Sequence, residues 1–137
     1  MPHKRVRGEP SETQIRLCNG IRRGDVLRVD LRGAKGTELA GPHFCVVVSN
    51  DVLNAQERTV VIVPLSTHGG SGKPKAFEVA LKAGQGDLEK DGAAIPHQVR
   101  TIHSLERVIE IWGRLGDDTM DEIEEMLIWA ISRSLTP

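Results

Sequence analysis

Gly36-Thr37-Glu38-Leu39-Ala40-Gly41-Pro42-His43-Phe44 runs directly into Cys45-Val46-Val47-Val48-Ser49-Asn50, and the two halves read in opposite ways. Gly33, Gly36 and Gly41 permit positive φ and Pro42 fixes its own, so the front half is a loop. The back half is apolar, rich in β-branched residues and too short for a helix, which makes it a buried strand over residues 43–49. A polar loop carrying Glu38 and His43 is therefore expected on the lip of a rigid sheet, where binding and catalytic groups concentrate.

Toward the N-terminus, Leu27, Val29 and Leu31 alternate with Arg28, Asp30 and Arg32. That period of two predicts a half-buried strand over Val26–Arg32 with a charged outer face, preceded by the turn Arg23-Gly24-Asp25. Residues 1–21 are polar and basic without periodicity and read as a mobile arm, with a helical turn near Thr13–Leu17. The folded domain is then 22–137.

Toward the C-terminus, Asp51–Glu57 reads as a one-turn connector and Thr59–Leu65 as a central strand covered on both faces. Pro64 has no N–H for a ladder, so pairing should fail there and leave Ser66, Thr67 and His68 at a strand end. His68-Gly69-Gly70-Ser71-Gly72-Lys73-Pro74 does not satisfy the spacing of a phosphate-binding P-loop, and a proline follows its lysine. Further strands are expected over Ala76–Leu81, Ala93–Ile102 and Arg107–Leu115, with a turn at Gly84–Asp91. Beyond Gly116 the period lengthens: Met120, Ile123, Leu127, Ala130 or Ile131, and Leu135 mark one stripe of an amphipathic helix. Thr119 and Glu122 are placed as a capping box, and Trp129 lies at the stripe's edge or in an interface. Many short strands followed by one packed helix predict an α+β domain or a small barrel with a helical lid.

The 137 residues suit one domain with a real core, and 39% hydrophobic with 27% charged residues is ordinary for a globular chain. No apolar run approaches the ~20 residues that span a bilayer. Cys18 and Cys45 have no CxxC partner; Cys45 reads as a buried thiol acting as a small hydrophobe, and a reducing compartment fits. The net charge of −1 hides an asymmetry. Residues 117–137 hold six acids against Arg133, a net −5, which leaves 17 bases against 13 acids, a net +4, in residues 1–116. Arg22, Arg23, Arg28, Arg32 and Lys35 cluster against only Asp25 and Asp30, a local excess suited to an anionic ligand. Four aromatics (Phe44, Phe77, Trp112, Trp129) and no tyrosine argue against a stacking platform of the RRM type.

Several blocks in order resemble the MazF/PemK toxins. They are Arg23-Gly24-Asp25-Val26, then Gly36-x-Glu38-x-Ala40-Gly41, Val46-Val47-Val48-Ser49, and Val63-Pro64-Leu65-Ser66-Thr67. Phe77-Glu78-Val79, Gln98-Val99-Arg100-Thr101-Ile102, Gly113-Arg114-Leu115 and the closing helix continue the match, over roughly residues 22–135. Each block is short; their order and spacing carry the likeness. The resemblance implies an SH3-like small β-barrel of the CcdB/PemK kind, mostly antiparallel, with a C-terminal amphipathic helix. It also implies a cytoplasmic homodimer and a metal-independent, cofactor-free, sequence-specific endoribonuclease. Such a toxin cuts single-stranded RNA by attack of the ribose 2′-OH on the adjacent phosphate and is held silent by a MazE-like antitoxin.

Carried onto this chain, the resemblance makes Ser66 the hydroxyl where the family has a catalytic Thr or Ser, with Thr67 beside it. Glu38 matches the loop acid, Gln98 and Arg100 match last-strand RNA contacts, and Lys35 and Gly36 complete the RNA-binding set. His43 departs from the family's arginine, and His97 from an aspartate. Arginine is a fixed cation, whereas histidine can exchange a proton, so His43 and His97 are candidate base and acid. The alternative for both is structural substitution. Leu39 replaces a common glutamine and bears on base preference. His68 reads as a solvated loop residue, His3 and His103 as incidental, and no helix-spaced histidine pair or thiolate suggests zinc. Two other readings stay open: a non-catalytic protein-binding toxin of the CcdB type, and a degenerate module that only dimerises and captures antitoxin.

Overall fold

Residues 19–31, 42–66 and 73–133 are described by the computed structural model. The alternating segment after Gly24 forms β1 (Asp25–Asp30), and the apolar run forms β2 (Pro42–Val47). Then come α1 (Asp51–Gln56), β3 (Thr59–Ser66), β4 (Val79–Leu81), β5 (Gly92–Ala94), β6 (Arg100–His103), the helical turn α2 (Ser104–Arg107), β7 (Val108–Arg114) and α3 (Asp117–Ile131). The strands follow the order β4-β5-β3-β2-β1-β7, with β6 also on β3. Every pairing is antiparallel.

The single strand expected over Ala93–Ile102 is two. β5 pairs with Leu65 and Ser66, β6 pairs with Thr59–Ile62, and a 3-10 turn at Pro96–Gln98 separates them. Pro96 cannot donate to β3 and has a fixed φ, so the chain leaves the ladder there and rejoins it at Arg100. β4 is likewise shorter than expected, with Phe77 in a turn before it. The last β2–β3 pair is Cys45↔Pro64, but pairing does not fail at the proline: its carbonyl, and with it the nitrogen that lacks a hydrogen, faces β5, where it accepts from the Ile95 N–H at 3.0 Å, and β5 goes on to pair with Leu65 and Ser66.

Side-chain alternation divides the core. One set, including Leu27, Val29, Cys45, Val47 and Ile62, meets Ile102 of β6 and Val108 of β7. β6, beside β3, and β7, at the far edge beyond β1, thus feed one cluster, which curls this part of the sheet into a barrel wall, although no β6–β7 ladder closes it among the described residues. Ile21 is buried in this cluster, so the packed body starts inside the stretch assigned to the arm. The other set, including Val26, Val46, Val63 and Leu81, packs beneath Met120 and Ile123 of α3.

α3 begins at Asp117 with Gly116 as its cap residue, earlier than a Thr119 capping box would place it. The Thr119 hydroxyl instead accepts a hydrogen bond from Gln85 Nε2 at 3.0 Å. Asp117 and Asp118 in the first turn complement the helix dipole. The stripe is covered as far as Leu127, which packs against the core, whereas Ala130 is exposed and Ile131 is 79% exposed. Leu135 and Thr13–Leu17 lie outside the described residues.

Two expected results arise here. Cys45 is fully buried and desolvation pushes its thiol far above the ordinary range. In a Cys18→Ser background, no thiol should react with an aromatic disulfide reagent until the protein is denatured; prompt native labelling would contradict this packing. Asp51, the first residue of α1, accepts from the Arg23 N–H at 2.8 Å, which holds its carboxyl below the ordinary range; Asn54 Nδ2 adds a bond at 3.3 Å. A depressed folded-state value stabilises the fold above the ordinary carboxylate range, and that contribution is lost as pH falls through the folded value. Asp51→Ala should therefore lower the melting temperature near neutral pH, with the gap to wild type closing as pH falls below the ordinary carboxylate range.

Candidate active site

β1 pairs Val29 with His43, and directly opposed residues in an antiparallel pair point to one face. Val29 belongs to the barrel-side cluster, so His43 faces that side, at the start of β2. On β3 the same face carries Ile62 and, by alternation, Ser66. The β2–β3 register runs Val47↔Ile62, Val46↔Val63, Cys45↔Pro64; His43 and Ser66 each stand two residues beyond that last pair, on neighbouring strands. Both side chains are half-buried, as suits groups on the rim of a packed wall. Arg100 pairs with Ile62 and so shares this face, four positions up β3 from Ser66, about 13 Å by strand rise. The structure thus brings a histidine, a hydroxyl and a guanidinium onto one face without a shared helix or motif.

His97 lies elsewhere. It is exposed on the Pro96–Gln98 turn, and its ring meets Phe77 edge-on at 5.1 Å. Phe77 in turn lies near-parallel to Trp129 of α3 at 6.4 Å, so His97 belongs to the helix side of the sheet. The paired-histidine expectation is therefore not met by a single face of this chain. Gln98 is half-buried on the same turn. Lys35, Gly36, Leu39, Glu38, Thr67 and His68 lie outside the described residues. His103 has a structural job, its Nδ1 accepting from the Glu106 N–H at 3.3 Å to cap α2.

The basic cluster read from the sequence is only partly available to an anion. Arg28 pairs with Glu110 at 3.6 Å, Arg23 with Glu124 at 3.8 Å, and Arg114 of β7 with the buried Asp25 at 3.2 Å. Among the described residues, no three His, Cys, Asp or Glu side chains gather as a metal site. No helix of the described residues is long and apolar enough to cross a membrane. Sequence reasoning did not join Phe44 to Trp112, which meet at 5.1 Å across β1. The only signal was that both stand beside residues already singled out, His43 and Gly113.

Comparison with known proteins bears on this geometry. A family described as "PemK-like, MazF-like toxin of type II toxin-antitoxin system" matches residues 22–131. Endoribonuclease MazF9 of Mycobacterium tuberculosis is 32% identical over 112 residues, spanning 78% of this chain and 92% of the relative. A mycobacterial endoribonuclease solved in complex with its cognate antitoxin superposes with a TM-score of 0.66 at 25% identity, covering 82% of this chain and 95% of that one. MazF of Deinococcus radiodurans (form I) gives a TM-score of 0.66 at 20% identity, covering 80% and 94%, a likeness of fold.

Proposed function

The chain belongs to the PemK-like, MazF-like family of type II toxin–antitoxin toxins, and from that premise we propose that it is a cytoplasmic endoribonuclease cutting single-stranded RNA at specific sequences without a metal. The observation that supports the site assignment is that His43 and Ser66 share the barrel-side face, each two residues beyond the last β2–β3 pair. His43 takes the proton of a ribose 2′-OH as that oxygen forms its bond to phosphorus. The bond from phosphorus to the 5′ oxygen breaks, leaving a 2′,3′-cyclic phosphate, and the departing oxygen takes a proton from water. Ser66 Oγ donates to a non-bridging phosphate oxygen, where charge grows in the transition state. Arg100 supplies a fixed positive charge on the same face.

His97, held on the helix side by Phe77, is placed with Gln98 among the RNA contacts, and the leaving oxygen draws on water. Glu38, Lys35, Gly36 and Thr67 keep their assignment as RNA-binding residues by family likeness. The domain is taken as 22–137 with Ile21 packed into its core and an N-terminal arm before it, acting as a homodimer and silenced by a MazE-like antitoxin.

The test is incubation of purified protein with a long single-stranded RNA in excess EDTA, with both product ends mapped. Discrete EDTA-resistant cuts ending in 2′,3′-cyclic phosphate are expected. Intact RNA across several sequences would instead favour a protein-binding toxin on the same fold.

A further inference from the structure

On the other face of the sheet stands a cavity that this chemistry does not use. Phe44 and Trp112, with ring planes at 59°, form its floor, and with Leu88, Glu89 and Lys90 they line a volume of about 270 Å³. Its wall is held rigid. The Trp112 indole donates to the Asp87 carbonyl at 2.8 Å. The turn beneath takes three left-handed residues, Gly84, Gly86 and Asp87, with φ of 97°, 59° and 60°. Gly113 of β7 fits against Gly86 so closely that a Cβ would lie 2.3 Å from the Gly86 oxygen. A turn with a non-glycine left-handed residue, clamped onto a strand by an indole hydrogen bond, is preorganised rather than adaptable.

We propose that this cavity is a nucleobase subsite for the RNA strand being cut, with guanine the preferred base; the proposal rests on the ribonuclease reading above. The floor offers aromatic area for stacking. The rim offers one cation and one carboxylate, Lys90 and Glu89, both exposed. Guanine presents an O6 acceptor beside its N1–H and N2–H donors, which Lys90 and Glu89 complement; adenine's edge reverses that polarity. A bare phosphate would meet Glu89, and an aliphatic side chain would bury charges it cannot pair. Arg28 lies opposite Phe44 on the same face, its charge bridged to Glu110, so the flanking phosphate is not assigned to it. The subsite adjoins the candidate active site along the chain: Phe44 follows His43 on β2 and faces the opposite way, so an RNA strand that crosses the end of β2 would reach both.

The test keeps the full chain and carries Trp129→Phe, so that Trp112 is the sole fluorophore. The probe is a 2′-O-methyl oligonucleotide, which lacks the attacking hydroxyl, with guanine replaced by adenine at each position in turn. Saturable quenching of Trp112 is expected, with affinity falling about tenfold for adenine at one position. Glu89→Gln, an exposed change that leaves the fold alone, should erase that preference. Binding that blocks RNA cleavage without altering Trp112 emission would overturn the proposal, as would a guanine preference indifferent to Glu89→Gln. Quenching by an acidic phenylalanine-bearing peptide, with none by the oligonucleotide, would assign the cavity to a protein partner and overturn it equally. A protein that cuts no RNA but shows the Glu89-dependent guanine response would retain the subsite and lose the nuclease.

Discussion

His43→Ala is expected to lower kcat for RNA cleavage by about two to four orders of magnitude, the range over which a positioned acid–base group contributes. The side chain is half-buried at a strand start and lies outside the fully buried core, so the variant should melt near the wild-type temperature. His43→Arg separates two accounts of the same residue. Arginine keeps a positive charge but cannot serve as a base near neutral pH. If His43 acts by proton transfer, His43→Arg recovers only the electrostatic share of the rate and flattens the pH–rate profile. If it acts as a cation alone, His43→Arg matches or exceeds wild type across the pH range, and the base assignment fails. Ser66→Ala, removing one donor to the phosphate, should cost about 10²- to 10³-fold. Residues that act as a unit are not additive, so the double variant should fall little below His43→Ala. A double loss equal to the product of the singles would place the two residues in independent steps.

Much of this site could be read before any coordinates. The period of two in β1 and the apolar run of β2 put His43 at a strand start, the apolar run of β3 put Ser66 at a strand end, and family likeness named both. Their shared face was not legible, because face is a property of register, and register comes from pairing between strands far apart in the chain. His97 shows the same limit from the other side. A continuous strand over Ala93–Ile102 would have kept its neighbours in one alternation; Pro96 breaks the ladder, and the turn that follows carries His97 to Phe77 on the helix side. The capping box failed for a local reason. A Ser/Thr-x-x-Glu pattern is necessary for that cap and not sufficient, and here the Thr119 hydroxyl is taken by Gln85 from a turn that sequence alone could not bring near.

That turn is also a sensitive point for stability. Gly113→Ala should destabilise the protein by about 3 kcal/mol, at the upper end of overpacking costs, and lower its midpoint by roughly 10 °C. The added methyl would lie 2.3 Å from the Gly86 oxygen and 2.5 Å from its carbonyl carbon, both backbone atoms, with Asp87 Cβ at 3.1 Å. No rotamer change relieves such a clash. Gly86 itself cannot retreat, because its own face lies against Val26 and Leu115 of the helix-side core. The remaining escape is to lift residues 84–88 from β7, which breaks the Trp112–Asp87 hydrogen bond and exposes Leu88, 3% accessible in the native fold. Gly116→Ala gives the contrast. No atom lies within 4 Å of a Cβ there and φ is −73°, so the cost should stay within the ~1 kcal/mol of a weakened helix cap. Urea melts of both variants, read by far-ultraviolet circular dichroism and by Trp112 emission in the Trp129→Phe background, test this directly. If Gly113→Ala were as mild as Gly116→Ala, the 84–88 turn would be free to move and the close Gly86–Gly113 contact would not constrain it. The rigid wall invoked for the Phe44–Trp112 cavity would then go with it.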